Sequence, residues 1–401
     1  MLNRIFHSIA MAVVIIHIIV CSEFFASTQL WSYLTLACEV FFVIIFAQYI
    51  IQAKVLNSLE KLSIAYFLFL LIVTIAYNLE TTNLFALIGR SIEIATLLMI
   101  IKLHRNDLTF FLLTGTIVFS VAVYANYYAL LLNPEGMLTS DGDVYYLLGT
   151  NYNQIGPKVI FAFLFSILLA SKYKVALLNA IAVSVIGMIS LLIVKSMTSI
   201  TCLSLLLFIY VNSWSNSLNQ VMLKGLLCFF VLFQIFVVFL GNTVSTSETD
   251  SFLTFLEKDV TFTGRTFLWE YSADYFLDSP IWGHGNINAT DYYESGYFHG
   301  IRKTSHNYVY GILHKGGIIL LFIFYKLVVI SYRRIKGYIN QHRAYVIIMA
   351  GVVFLVMCLF EIYDSIYTYL LLIFMYYYKD FIAVNNKNRI HENCIRSHSH
   401  I

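Results

Sequence analysis

The chain predicts an all-α polytopic membrane protein with about twelve transmembrane helices and one large extracytoplasmic loop between the ninth and the tenth. Three observations carry that expectation. Of 401 residues, 60% are hydrophobic and 12% are charged, whereas soluble domains carry about 25% charged residues. The mean hydropathy is +0.78. Apolar runs of the ~20 residues needed to cross about 30 Å of hydrocarbon recur along the chain, and in that medium each backbone amide must be bonded inside its own helix.

The spans are expected near 5–21, 31–52, 62–78, 84–102, 108–132, 154–171, 175–194, 197–212, 222–240, 306–330, 344–360 and 363–378. Residues 1–240 thus hold nine spans, 241–305 the large loop, 306–378 three further spans, and 379–401 a disordered cytoplasmic tail. Only three prolines occur, Pro134, Pro157 and Pro280, so most spans can run as unbroken helices. Aromatic clusters such as Tyr376-Tyr377-Tyr378 and Tyr145-Tyr146 fall at span ends, as aromatic belts at the headgroup level do. Arg4 ahead of an apolar run imitates a signal peptide, but the small-residue site near Ala26-Ser27 is poor and further spans follow, so a retained first helix is expected. None of the six cysteines lies in the large loop, which leaves no basis there for a disulfide framework or a zinc site.

The cations fix an expected orientation. With a cytoplasmic N-terminus, Arg4, Lys54, Lys61, Lys102, Arg105, Lys172, Lys174, Lys224, Lys326, Arg333, Arg334, Lys336, Arg343, Lys379, Lys387, Arg389 and Arg396 share one side, which is 17 of 25. The positive-inside rule then puts both termini in the cytoplasm and the large loop outside. The loop 133–150 agrees, with Glu135, Asp141 and Asp143 and no Lys or Arg.

Eight cations remain, all in the outer half on this topology. Lys258, Arg265, Arg302 and Lys303 lie in the large loop, while Arg90, Lys158, Lys195 and Lys315 lie within or at the outer ends of spans. A charge at a helix centre costs about 2.5–3.5 kcal/mol on insertion scales, so such cations usually face a cavity or a partner. Cations converging from several spans make an anion site suited to phosphate, for which the planar fork of Arg is the better clamp. The plainer alternative is snorkelling to the headgroups, or for Arg90 a pair with Glu93, which at i+3 shares its helix face.

The large loop carries the most specific pattern. Gly264-Arg265, then Trp269, then Ser279-Pro280-Ile281-Trp282-Gly283-His284-Gly285, then Ser305-His306-Asn307-Tyr308, and Gly316-Gly317 in the next span resemble, in order and spacing, the signature of the O-antigen ligase and O-antigen polymerase superfamily. The likeness covers about 55 residues. Asn151-Tyr152-Asn153 and Lys195-Ser196-Met197-Thr198-Ser199 are weaker echoes, and Met197 stands where that family often has Arg.

The resemblance implies a glycosyltransferase of the outer face of the bacterial cytoplasmic membrane that needs no metal, cofactor or nucleotide sugar. Its donor is a glycan on undecaprenyl pyrophosphate. Its acceptor is a sugar hydroxyl, on another lipid-linked repeat unit for a polymerase or on a lipid A core for a ligase. Expected partners are membrane lipids and a chain-length regulator and flippase of the same pathway, with no nucleic acid.

That chemistry makes demands on the residues. Negative charge grows on the departing pyrophosphate, so cations must be aimed at it. Arg265 is the first candidate, followed by Arg90 and Lys195. The acceptor hydroxyl needs a base, and a histidine titrates near the working pH. His306 is therefore expected to be catalytic with Arg265, as base or as pyrophosphate contact. Asn307 is expected to orient His306 or the sugar, and Gly283 and Gly285 to allow close backbone approach to a substrate.

Asp278 and Glu270 are alternative bases that also read as solvated loop carboxylates. Glu361 and Asp364, in the turn between the last two spans, are candidates to line the same cavity or plain turn acids. Three histidines in 391–400 suggest weak metal affinity on the cytoplasmic side. Three readings stay open: a repeat-unit polymerase, which is preferred, an O-antigen ligase, and a lipid-linked glycan transporter. Transporters usually show internal repeats, and no convincing repeat relates the two halves here.

Overall fold

The computed structural model describes residues 56–77, 80–138, 144–148, 152–212, 216–239, 265–297, 304–363 and 365–382, with isolated positions before residue 50. Apart from those isolated positions, the expected spans 5–21 and 31–52 lie outside them, as do loop residues 241–264 and 298–303, Asn151, Asp364 and tail residues 383–401. Each expected span from residue 62 onward coincides with a helix. In order these are α1 (Ser58–Tyr77), α2 (Thr81–Leu103), α3 (Thr109–Leu132), α4 (Ile155–Leu169, entered by a 3₁₀ turn Tyr152–Gln154), α5 (Val175–Ile193), α6 (Met197–Asn212) and α7 (Asn216–Phe233, extended by a π-helical turn Gln234–Phe239). The large loop contributes α8 (Arg265–Asp278) and α9 (Ala289–Glu294), and α10 (Tyr308–Lys336), α11 (His342–Met357), α12 (Ser365–Tyr376) and α13 (Tyr378–Ile382) follow.

Among the described residues seven helices are long and apolar enough to cross a membrane: α1 to α5, α7 and α10, while α6, α11 and α12 are apolar but shorter. The chain is thus an all-α polytopic membrane protein. The one sheet among the described residues is a small antiparallel ribbon, β1 (Met137–Leu138) with β2 (Val144–Tyr145).

Helix starts follow local chemistry. Before α1, Asn57 and Glu60 form a reciprocal capping box: Glu60 N donates to Asn57 Oδ1 at 3.0 Å and Asn57 N to Glu60 Oε2 at 2.8 Å, which satisfies amides the first turn leaves orphaned. Asp107 Oδ1 accepts from Thr109 N at 3.1 Å at the start of α3. At α10 the cap is Asn307.

The chain divides into two compact units, one of residues 1–50, 96–194 and 373–401, the other of 51–95 and 195–372. In the first, α3, α4 and α5 pack together through small residues. A Cβ on Gly115 would sit 2.2 Å from Phe165, and one on Gly187 2.2 Å from Val159, so only glycine admits these approaches. Asn179 ties the bundle with a polar knot, donating to Ser120 Oγ and Ser166 Oγ at 2.8 Å each and accepting from Tyr124 Oη at 3.0 Å. Lys158, buried, donates to Leu148 O, whose own amide donates to Asn126 Oδ1 at 3.2 Å. This sequence-predicted outer cation anchors the 144–148 segment.

In the second unit α10 packs on α1 and α8, and α11 on α6 and α7. Helix α10 is broken at Gly316 (φ −147°) and Gly317 (φ 59°, ψ −160°). An unwound helix leaves carbonyls without partners, which is tolerated at membrane depth only when other protein groups supply them. Here the loop after α8 does so. His284 N donates to His314 O at 2.7 Å and Gly285 N to Lys315 O at 3.0 Å, while Ile318 N donates back to Pro280 O at 2.9 Å.

Candidate functional site

The site belongs wholly to the second unit and is built around the start of α10. Ser305 and Asn307 are fully buried, and His306 between them is only part-buried. Ser305 Oγ donates to Asn307 O at 3.1 Å, bridging the histidine. The Asn307 amide is spent on its surroundings: Nδ2 donates to Gln234 Oε1 at 3.0 Å and to Leu359 O at 3.2 Å, and Oδ1 accepts from Tyr310 N at 3.1 Å. Tyr308 N donates to Cys358 O at 2.9 Å. These bonds pin the backbone on both sides and turn the imidazole outward.

The consequence is strain at one residue. His306 has φ 45°, and with Lys195 at φ 55° it is one of two non-glycine residues of positive φ among those described. Such conformations cost about 1–3 kcal/mol and persist where surrounding structure imposes them, often at functional sites. Both had been singled out from the sequence as substrate or catalytic residues.

His306 Nδ1 lies 2.8 Å from Glu361 Oε1, and the carboxylate is buried, with 6% of its side chain exposed. Glu361 stands in the turn 358–363 between α11 and α12, and its Oε1 also accepts from Ile362 N at 3.2 Å. Next to it, burial pushes the Tyr363 phenol up; Glu361, Cys358 and Cys202 push the same way and Arg265 opposes them. His306 is bonded to the turn from α10, and the charge of Arg265, the first residue of α8, is felt there at the Tyr363 phenol. Lys195 is exposed, with no ion pair or hydrogen bond for its ammonium among the described residues. Tyr363 Oη and Tyr310 Oη are buried and have no hydrogen-bond partner among the described residues.

The geometry around three of these expectations is as follows. Asn307 was expected to touch the sugar or to orient His306, and its amide is consumed by the helix cap, Gln234 and Leu359, which leaves the orienting role. Gly283 (φ +70°) and Gly285 (φ +86°) were expected to allow approach to a substrate, but what they approach is protein. A Cβ on Gly283 would lie 2.5 Å from Gly316 N and one on Gly285 2.7 Å from Thr74 Cα, and a Cβ on Gly317 would lie 2.2 Å from Ile281 O. The glycines of the signature are the two halves of one backbone joint, loop on broken helix. Arg90 forms an ion pair with Glu93, side chains 27% and 4% exposed, so its charge is already held by a near-buried carboxylate. Asp278 and Glu270 sit on α8, and neither is paired with His306.

The loop is fastened at two more places. His314, buried on α10, lies 2.9 Å by Nε2 from Ser272 O on α8 and 2.9 Å by Nδ1 from Tyr292 Oη on α9. A carbonyl only accepts, so Nε2 carries the hydrogen and Nδ1 accepts from the phenol. His284 stacks on Tyr275 with ring centroids 4.0 Å apart, and burial pushes the Tyr275 phenol up, so it stays neutral. Asn83 of α2 donates to Asp291 Oδ2 at 2.9 Å and Asn286 N donates to Thr74 Oγ1 at 2.8 Å. Trp269, the third signature residue, packs with Val238, Tyr310 and Leu313. Sequence reading missed Gln234, Thr74 and Tyr363. None belongs to a local pattern, and each becomes visible only when chain segments far apart are brought together.

Among the described residues no group of three or more His, Cys, Asp or Glu is arranged to hold a metal ion. What the arrangement offers is a partly exposed imidazole backed by a carboxylate, with the charge of Arg265 acting on the same turn. That set can accept a proton from a hydroxyl and draw an anionic leaving group.

No curated relative matches the chain. Residues 161–325 match the family described as O-antigen ligase, a segment that contains Lys195, Arg265, Gly283, Gly285, His306 and Asn307 but neither Arg90 nor Glu361. The family covers O-antigen ligases and polymerases, glycosyltransferase-like enzymes. Over that segment the chain is similar to the O-antigen ligase and polymerase superfamily.

Proposed function

We propose that the protein is a polysaccharide repeat-unit polymerase of the bacterial cytoplasmic membrane, with both termini in the cytoplasm and the His306 turn at the outer face. It transfers a glycan from undecaprenyl pyrophosphate to a sugar hydroxyl of another lipid-linked repeat unit. The observation that carries the reading is the contact of His306 with Glu361 in the turn 358–363, where the Arg265 charge also acts on Tyr363. His306 takes the proton of the attacking hydroxyl and Arg265 faces the departing pyrophosphate. An arginine suits that task because its fork can bond two phosphate oxygens at once. Lys195, exposed at the start of α6, adds a second positive charge. Donor energy resides in the pyrophosphate bond, so no nucleotide sugar or metal is required.

Since the matched family holds ligases as well, the alternative acceptor is a lipid A core. Deletion of the gene separates the two. A polymerase leaves glycans of a single repeat, whereas a ligase leaves full-length chains on the lipid carrier and none on the core.

A further inference from the structure

We propose that segment 277–282, at the end of α8, is a wedge inserted into the bilayer hydrocarbon, so that part of the large loop is embedded in the leaflet bordering the His306 site. Two helices serve as rulers. Helix α1 has 20 residues, about 30 Å, which matches the hydrocarbon thickness, so its end at Tyr77 marks the boundary. Trp282 stacks on Phe69 with ring centroids 6.1 Å apart, and Phe69 stands eight residues before Tyr77, about 12 Å along the helix. Helix α10 gives a similar depth. Pro280 O accepts from Ile318 N at 2.9 Å, and Ile318 lies ten residues past Tyr308, about 15 Å along α10.

The side chains and the backbone of the segment suit that medium. Leu277, Ile281 and Trp282 are 67%, 54% and 49% exposed, the exposed large hydrophobics of the loop among the described residues. Trp282 on Phe69 joins them to the exposed stripe of Leu68, Ile72 and Ile75 on α1, a spacing that puts one face of a span toward lipid. The patch therefore continues a lipid-facing surface, and its occupant is acyl chain. Irregular backbone is tolerated at this depth where protein groups bond its polar atoms. Five consecutive amide donors of the stretch do so: Ser279 N to Phe276 O at 3.2 Å, Gly283 N to Ser279 O at 2.9 Å, His284 N to His314 O, Gly285 N to Lys315 O, and Asn286 N to Thr74 Oγ1. Pro280 has no N–H to satisfy, and Ser279 Oγ donates to Gly283 O at 2.9 Å. Asp278, the carboxylate of the segment, is hydrogen-bonded to Tyr297.

The test is quenching of Trp282 fluorescence in the full-length protein in phosphatidylcholine liposomes free of lipid-linked glycan, so that any lipid contact is with the bilayer. The chain has four tryptophans, and the Trp282 signal is the difference between wild type and Trp282→Phe. Phosphatidylcholine brominated along its acyl chains is expected to quench that signal at least about twofold, and aqueous iodide to leave it nearly unchanged, because no water reaches the hydrocarbon. Strong quenching by iodide places the segment in water, and quenching by neither places it under protein such as a second copy; either result overturns the proposal. Should Trp282→Phe not be recovered folded, Ile281→Trp gives the same comparison by addition. Independently, Ile281→Asp is expected to cut folded yield at least about threefold, since a short carboxylate is costly in hydrocarbon, while Ile281→Val is expected to leave it unchanged. Equal yields of the two variants would also overturn the wedge. Each outcome leaves the glycosyl-transfer reading untouched.

Discussion

The bundle core around Asn179 and the turn around His306 both place polar side chains among apolar helices, and they resolve the cost differently. In α3, α4 and α5, the polar atoms of Asn179 are matched to Ser120, Ser166 and Tyr124 across helices. Backbones there are helical and close-packed at glycines. Around His306 the matching is directed at the neighbours of the key residue instead. Ser305, Asn307 and Gln234 are saturated and buried, while the imidazole is strained, part-exposed and held at one nitrogen. Buried networks that satisfy themselves give rigidity; the second arrangement spends its rigidity on aiming one side chain.

The contrast can be broken most severely at the imidazole. His306→Ala is expected to lower transfer about 10²–10⁴-fold with thermal stability in detergent within a few degrees of wild type; a parallel loss of both would make His306 another structural member. Next, Arg265→Ala should reduce kcat about 10²–10³-fold, the scale of removing one preorganised donor to developing charge. Arg265→Lys should recover only part of it, because a lysine cannot bind bidentately. Both are read from initial rates on the lipid-linked donor.

Smaller effects test the scaffold. Gly317→Ala places a Cβ 2.2 Å from Ile281 O at φ +59° and should destabilise the protein by about 3 kcal/mol, seen as lost folded yield and lower apparent Tm. Asn179→Ala should cost about 1 kcal/mol, the scale of hydrogen bonds between membrane helices, and leave kcat unchanged. If Asn179→Ala cost more activity than Arg265→Ala, the division between a structural knot and a working turn would be misplaced.

Much of the fold was legible because membrane spans are written locally. Length and hydropathy of one segment decide a helix, and α6, for example, occupies the expected 197–212. Helix α8 was not anticipated: it is amphipathic at best, burying Leu268, Trp269, Ser272 and Tyr275 at helical spacing while Glu270, Asp274 and Asp278 interrupt it. That three- and four-residue spacing was the available signal. The site was legible as residue types, His306 and Arg265, but the meaning of the signature glycines was not. Gly283 looks like a substrate-approach glycine in one dimension, and only the fold shows that Gly283 and Gly317 each make room for the other's segment. Glu361 read either as a candidate to line the cavity or as a plain turn acid, since nothing near it in sequence announces His306.

The most direct measurement is reconstitution of the purified chain in liposomes with undecaprenyl-pyrophosphate-linked repeat units and no energy source. Wild-type protein is predicted to form new glycosidic bonds and release lipid pyrophosphate in equal amounts, and His306→Ala to form none. Redistribution of the lipid between leaflets without bond formation, or equal bond formation by His306→Ala, would contradict a glycosyl-transfer site centred on His306 and Arg265.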